Sequence, residues 1–127
     1  ISETEARAYW MKQARATYVA ESDAGIVGTY YIKTNQPGGG AHICNCGYIV
    51  SPTARGQGIA AMLCMHSQDE ARRLGYHAMQ VNFVLASNDG AVRLWHRVGF
   101  ETVGTIPDAF QHPKQGMVDA FVMYRRL

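Results

Sequence analysis

The chain reads as an α/β protein built on a mixed sheet. Three observations predict this. β-branched and aromatic runs alternate with apolar residues at helical spacing, in the order helix, hairpin, strand, helix, strand, helix, strand, strand. Strand–helix–strand crossovers demand parallel neighbours in a sheet, while the hairpin demands an antiparallel one. Finally, 127 residues with 47% hydrophobic content suffice for one core and leave no room for a second.

Each element has its own signal. Ser2-Glu3-Thr4-Glu5 is a capping-box pattern, and Ala6, Ala8, Tyr9, Trp10 and Ala14 follow with helical character, which predicts a helix over 3–14. The β-branched and aromatic runs 17–20 and 26–32 flank Asp23-Ala24-Gly25, a hairpin signal. Pro37-Gly38-Gly39-Gly40 is a loop tip, too short to link domains. A strand over 42–50 stops at Ser51-Pro52, where proline removes a ladder donor. Ile59, Met62, Leu63, His66 and Ala71 then recur every three to four residues up to Gly75, a C-cap glycine, and define the longest helix. A strand over 79–85, a turn at Asn88-Asp89-Gly90, a short helix over 91–98 closed by Gly99, and strands over 100–106 and 118–124 complete the chain. Between the last two strands, 107–117 with Phe110 and His112 reads as a surface loop or as a lid over a site.

Composition excludes several function classes. A net charge of +2 gives no global field for nucleic acid or an acidic membrane, so any anion site must be local. No stretch approaches the roughly 18 to 20 apolar residues of a membrane span. Three cysteines and no signal-like apolar N-terminus suggest reduced thiols and a cytoplasmic setting. The oligomeric state stays open, a homodimer included.

The chemistry concentrates in Val50-Ser51-Pro52-Thr53-Ala54-Arg55-Gly56-Gln57-Gly58-Ile59-Ala60, a strand end followed by a glycine-punctuated turn into the long helix. Glycines let the backbone approach a ligand closely, and a helix start offers unpaired N–H groups with partial positive charge, so a phosphate fits there. The string is not a Walker A loop, for no Gly-Lys-Ser/Thr follows, nor a Gly-x-Gly-x-x-Gly dinucleotide fingerprint. One strand later comes Asn88-Asp89-Gly90-Ala91-Val92-Arg93-Leu94-Trp95-His96-Arg97-Val98-Gly99-Phe100.

With these two segments in this order, residues 17–127 resemble the GNAT superfamily of acyl-CoA-dependent N-acetyltransferases. Arg55-x-x-Gly58-x-Ala60 looks like that family's pyrophosphate loop, and Asn88 through Phe100 like its second CoA-contact motif. The resemblance implies a mixed, largely antiparallel twisted sheet with a splayed central parallel strand pair and flanking helices. It also implies acetyl-CoA as co-substrate and no metal. Tyr48, Ile49 and Val50 would pair with the pantetheine arm as an added strand would. The amides of Gly56, Gln57, Gly58, Ile59, Ala60 and Ala61 would cradle the pyrophosphate. Asn88 would bond the pantetheine, and the helix from Ala91, with Trp95, would pack along it. Arg55 is either a cation for the phosphates or a brace for the loop.

The family's pattern also implies an N–H near Ile49 for the oxyanion. Its frequent tyrosine acid, seven residues after the motif asparagine, is Trp95 here, and the glutamate base of some members is Phe83. Neither assignment transfers. Two asparagines inside apolar strands remain, Asn45 and Asn82, and each must find partners or cost roughly 1 to 3 kcal/mol. Either they satisfy neighbouring backbone, or they hold substrate. Asn-x-Gly-aromatic-x-Val and Asn-Phe-Val-x-x-x-Asn are similar to the fungal N-acetyltransferases acting on proline analogues, whose strand asparagines contact substrate. That resemblance implies a small amine or amino-acid-like acceptor held by Asn45 and Asn82, attacking directly in a ternary complex, with solvent carrying the proton. A protein or peptide N-acetyltransferase and a non-catalytic acyl-CoA-binding domain are the alternatives.

Other residues read as structural. His42, Cys44 and Cys46 alternate along one strand, but Cys-x-Cys lacks the turn that wraps zinc. Cys64 reads as a packed small hydrophobe, His96 as a solvent-facing helix residue, and Arg72-Arg73 and Arg125-Arg126 as solvated ends. The family's chains normally begin with a strand and helix ahead of the helix at 3–14, so the resemblance implies a single domain over 1–127 that lacks them, with Ile1 not a natural start.

Overall fold

The computed structural model describes residues 2–11, 13–23 and 25–127, so Ile1 and the central Ala24 of the expected hairpin turn lie outside the described residues. Helix α1 (Glu3–Met11) begins at the capping box, where the Ser2 hydroxyl accepts from the Glu5 N–H and donates to the Glu5 carboxylate, both at 3.1 Å. It ends at Met11 rather than at 14, because the Arg15 N–H is drawn to the Ile32 carbonyl at 2.8 Å and commits the chain to the sheet. Strands β1 (Ala16–Ser22) and β2 (Gly25–Thr34) form the expected antiparallel hairpin, and β3 (Ile43–Val50) adds antiparallel to β2. After a single 3-10 turn at Pro52–Ala54 come α2 (Ile59–Arg73), β4 (Ala78–Leu85), α3 (Asp89–Arg97), β5 (Glu101–His112) and β6 (Gly116–Arg126).

The six strands lie in the order β1-β2-β3-β4-β6-β5. All pairs are antiparallel except β3 with β4, which run parallel. Of the two expected crossovers, the one through α2 makes parallel neighbours. The one through α3 does not, because β6 inserts between β4 and β5 and is antiparallel to both.

Two boundaries correct the sequence reading. Asp89 and Gly90 are not a turn but the first residues of α3, since the Asn88 side chain accepts from the Ala91 N–H at 3.2 Å and caps the helix there. Residues 107–117 are not an irregular loop but the ends of β5 and β6 joined by a turn at 113–115. Past a register shift between Ile106 and Phe110, pairing resumes as Phe110↔Val118, Gln111↔Met117 and His112↔Gly116. At the shift Asp108 takes φ 49°, its N–H held by the Asp119 carboxylate at 3.0 Å, and Pro107 sits where an edge-strand irregularity needs no donor.

The core lies between the sheet and α2. The helix turns Leu63, Cys64, Ser67, Gln68 and Ala71 inward, at spacings of one, three and four residues. Gly28 lets it approach β2 closely, for a Cβ there would stand 2.9 Å from Leu63 Cδ1. Under the helix runs an aromatic row: Tyr18 stacks on Tyr30 at 4.7 Å, Tyr30 meets Tyr48 and Tyr48 meets Trp95 at 5.1 Å with tilted rings, and Trp95 meets Phe100 edge-on at 5.1 Å. Helix α1 covers the opposite face, with Tyr9 and Trp10 edge-on to Tyr31 and the Trp10 indole donating to Thr29 Oγ1 at 3.2 Å.

Candidate active site

The parallel ladder between β3 and β4 has three pairs, Ile43↔Ala78, Cys44↔Met79 and Asn45↔Gln80, and then the strands part. Which backbone groups face the opening follows from the register on the other side. The Ser51 N–H bonds the Val27 carbonyl at 2.8 Å, and the Asn35 N–H bonds the Ile43 carbonyl at 2.9 Å, bracketing the β2–β3 ladder at both ends. Hydrogen-bonded and open pairs alternate in an antiparallel ladder. Residues 45, 47 and 49 therefore turn their backbone to β2, and 46, 48 and 50 turn theirs toward β4. Beyond Asn45 the N–H and C=O of Tyr48 and Val50 open into the gap. This corrects the expectation for Ile49: its N–H belongs to the pair with Thr29, its side chain is 56% exposed, and it lines neither of the two clefts described next.

On the α2–α3 side lies a cleft of about 590 Å³, lined by Val50, Ala54, Arg55, Gly56 and Gly58, by Ile59, Ala60 and Ala61 of the first turn of α2, and by Asn88, Gly90, Ala91, Leu94 and Arg97. Gly56 and Gly58 adopt φ of 82° and 76°, and a Cβ on either would meet nothing within 4 Å, so bare backbone forms the wall. Gly58 caps α2 without a side-chain hydrogen bond, which leaves the first-turn N–H groups open to the cleft. Arg55 and Arg97 flank it, and neither is ion-paired among the described residues. This donor set fits a pyrophosphate carried by a long thioester. Of the expected loop residues, Gln57 is exposed and stands outside the lining.

A second cavity of about 440 Å³ opens at the parting of the strands. Tyr9, Tyr31, Asn45, Cys46, Gly47 and Tyr48 line it from one side, and residues 81–85, Asn88, Ala91 and Trp95 from the other. Asn88 and Ala91 border both spaces, so the two communicate at the start of α3. Asn45 is 6% exposed, donates to the Gln80 carbonyl at 3.1 Å and accepts from the Tyr31 hydroxyl at 3.3 Å. Asn82 is exposed rather than buried. It accepts from Gln80 Nε2 and donates to Asn35 Oδ1, both at 2.8 Å, in a row of neutral amides. Both asparagines thus satisfy neighbours and both line the cavity.

The remaining expectations fall as follows. Trp95 is nearly buried, with Tyr48 and Phe100 against it. The Tyr48 phenol bonds Ser67 on α2, and burial pushes it well above the ordinary tyrosine value, so it is no ready proton donor. Phe83 lines the cavity and meets Phe110 edge-on at 6.4 Å. Cys44, Cys46 and Cys64 are buried thiols. Burial pushes Cys46 well up and Cys64 up to about 12, which keeps both protonated and poor nucleophiles. His42 stands exposed beside His77, and His96 is exposed with Nδ1 3.1 Å from the Phe100 carbonyl oxygen. Arg125 is not a solvated end: its guanidinium lies against Gly99 and its Nε is buried.

The sequence reading missed Tyr9, Tyr31, Gly47 and Arg97. Gly47 carries a legible signal, a glycine inside a strand, which marks close approach. A Cβ there would lie 2.8 Å from both Tyr31 Cζ and Oη, so the ring rests across it. Tyr9 and Tyr31 meet only through the packing of α1, which no local pattern encodes.

Comparison with known proteins agrees with this geometry. The family model described as the acetyltransferase (GNAT) family matches residues 2–100. N-acetyltransferase aca1 of Schizosaccharomyces pombe is 38% identical over 108 residues, covering 84% of this chain and 52% of that protein, so the chain spans about half the length of this curated relative. Among solved structures, a GCN5-related N-acetyltransferase from Kribbella flavida superposes with a TM-score of 0.93 at 39% identity, covering all of this chain and 78% of its own. The fold is shared as well by yncA from Salmonella typhimurium, solved with its cofactor acetyl-CoA, at a TM-score of 0.79 and 24% identity over 97% of this chain and 69% of that one. The family match over residues 2–100 and the 38% identity to a named N-acetyltransferase show that the chain belongs to the GNAT family of acetyltransferases.

Proposed function

We propose that this chain transfers an acetyl group from acetyl-CoA to the amine of a small molecule, an amino acid or its analogue, by direct attack while both substrates are bound. One observation carries the reading: the phosphate-shaped cleft and the amide-lined cavity communicate through the gap between β3 and β4, at Asn88 and Ala91. Acetyl-CoA supplies an activated thioester carbonyl. The chain's part is to hold and orient. Gly56, Gly58 and the first turn of α2 offer N–H groups to the pyrophosphate, with Arg55 and Arg97 as counter-charges. The open backbone of Tyr48 and Val50 suits an extended arm lying along β3, and the Tyr48 N–H is the donor placed to meet negative charge developing on the carbonyl oxygen. Trp95 and Phe83 wall the thioester from water.

Direct attack is favoured over an acetyl-cysteine route because Cys46 and Cys64 are buried and held protonated. Asn45 and Asn82 offer neutral amides that can hold a carboxylate and orient an amine without becoming bases. Three buried free thiols suit a reducing, cytoplasmic setting.

Thiol release from acetyl-CoA, measured across free amino acids, imino acids, simple amines and short peptides, tests the reading. Free amino or imino acids are expected to be the best acceptors. Asn45→Ala and Asn82→Ala should each lower kcat/KM for them by about 10-fold or more, as loss of a hydrogen bond to a charged group implies. Peptides as better acceptors would overturn the small-molecule assignment. Binding of CoA with no acceptor-dependent release would overturn catalysis itself.

A further inference from the structure

Two phenols line the cavity under α1, with a lysine against one of them, in an arrangement that positioning alone does not require. Tyr9 Oη lies 3.1 Å from Tyr31 Oη, and Tyr31 Oη donates to Asn45 Oδ1 at 3.3 Å. Lys33 Nζ sits over the Tyr9 ring, 4.4 Å from its centre. Tyr9, Tyr31 and Asn45 all line the cavity. The row runs from the substrate face of β3, across β2, to the partly exposed face of α1.

We propose that this row is the proton exit of the reaction: Tyr31 receives a proton from the acceptor ammonium as it hands its own to a Tyr9 phenolate, and Lys33 is the positioning residue that sustains the phenolate. This rests on the cavity being the acceptor's, as in the reading given under Proposed function.

The two phenols are driven apart electrostatically. Burial pushes Tyr31 up, and its bond to Tyr9 adds to that, so it stays protonated and suits a relay. Burial also pushes Tyr9 up, but polar contact with Lys33 and Tyr31 and the charge of Lys33 outweigh it and bring Tyr9 below the ordinary tyrosine value. Neighbouring titratable groups pushed in opposite directions mark an acid–base pair. Among the described residues, the charged or titratable groups on this pair are Lys33 of β2 and Cys46 of β3, a thiol held protonated. The other residues that β3 and β4 bring to this face, Asn45, Gly47, Asn82 and Phe83, do not titrate.

The step balances. One ammonium proton ends on Tyr9. The nitrogen lone pair forms the N–C bond as the C–S bond breaks, and the departing thiolate takes the second N–H proton. Tyr9 then returns its proton to water, so one proton is released per turnover.

The test is the pH dependence of kcat/KM for the best acceptor in the full chain, with Tyr9→Phe, Lys33→Met and Lys33→Arg. Tyr9→Phe should lower kcat about 100-fold, as loss of a general base does, and leave the KM for acetyl-CoA unchanged. Without the lysine charge the phenolate is harder to form, so Lys33→Met should move the acid limb to higher pH by about one unit, while Lys33→Arg leaves it in place. A Tyr9→Phe enzyme that loses thermal stability but keeps its kcat and its acid limb, or a Lys33→Met limb that does not move, overturns the relay. Asn45→Ala separates the two claims: if it cripples acceptor use while Tyr9→Phe does not, the cavity reading stands and the relay falls. If neither variant affects any acceptor, both fall.

Discussion

Gly47 is the residue on which the amide-lined cavity turns. The Tyr31 ring lies where its Cβ would be, and Tyr31 in turn holds the Asn45 side chain. Gly47→Ala should therefore cost about 1 to 3 kcal/mol by overpacking and swing the Tyr31 ring off β3. The expected signature is a lowered Tm together with a loss in kcat/KM for the amine that exceeds any change in KM for acetyl-CoA. Equal losses toward both substrates would mean that the ring is only packing. Asn45 shows how two readings of one residue coexist. Its donor satisfies Gln80 and its acceptor takes Tyr31, so a ligand must exchange with partners already in place rather than fill a vacancy.

Among the elements, α3 is short and depends on its cap. Asn88 accepts from the Ala91 N–H, while Ala91 and Asn88 themselves form the passage between the two spaces. Asn88→Ala should cost about 0.5 to 2 kcal/mol and raise the KM for acetyl-CoA, whereas Asn88→Asp, which keeps the cap, should leave stability near wild type. Calorimetry alongside steady-state kinetics separates the two effects. At this scale the sequence was most legible where local chemistry rules. The capping box at Ser2, the glycines at 56, 58 and 75 and the apolar stripe of α2 each announce their element. It was least legible where distant segments decide. Nothing local to 107–112 says that β6 will lie opposite and extend the strand past a bulge. Nothing local to Ile49 says that its N–H is committed to Thr29, since that depends on the register of another strand. The same reason hid Tyr9 and Lys33, which meet only after α1 folds over β2.

For the molecule as a whole, the sheet separates two chemistries. Its α2 side carries the aromatic row, the thiols and the phosphate cleft, and its α1 side carries the neutral amides and the Tyr9–Lys33 pair. All three cysteines lie in the packed interior, so a thiol reagent should meet them only when the whole fold opens. The rate of labelling by a chromogenic disulfide should follow global unfolding and rise with denaturant in step with loss of circular dichroism. A fast-labelling native thiol would contradict the packing described. The same division places the chain's two tryptophans on opposite sides. Trp95 lines the amide-lined cavity, and Trp10 is anchored to Thr29 and edge-on to Tyr31, one ring behind that cavity. The protein therefore carries two native optical probes. With Trp10→Phe the remaining emission follows a ligand entering the cavity that Trp95 lines, with Trp95→Phe it follows movement of Tyr31 beneath α1, and entry and response become separately readable.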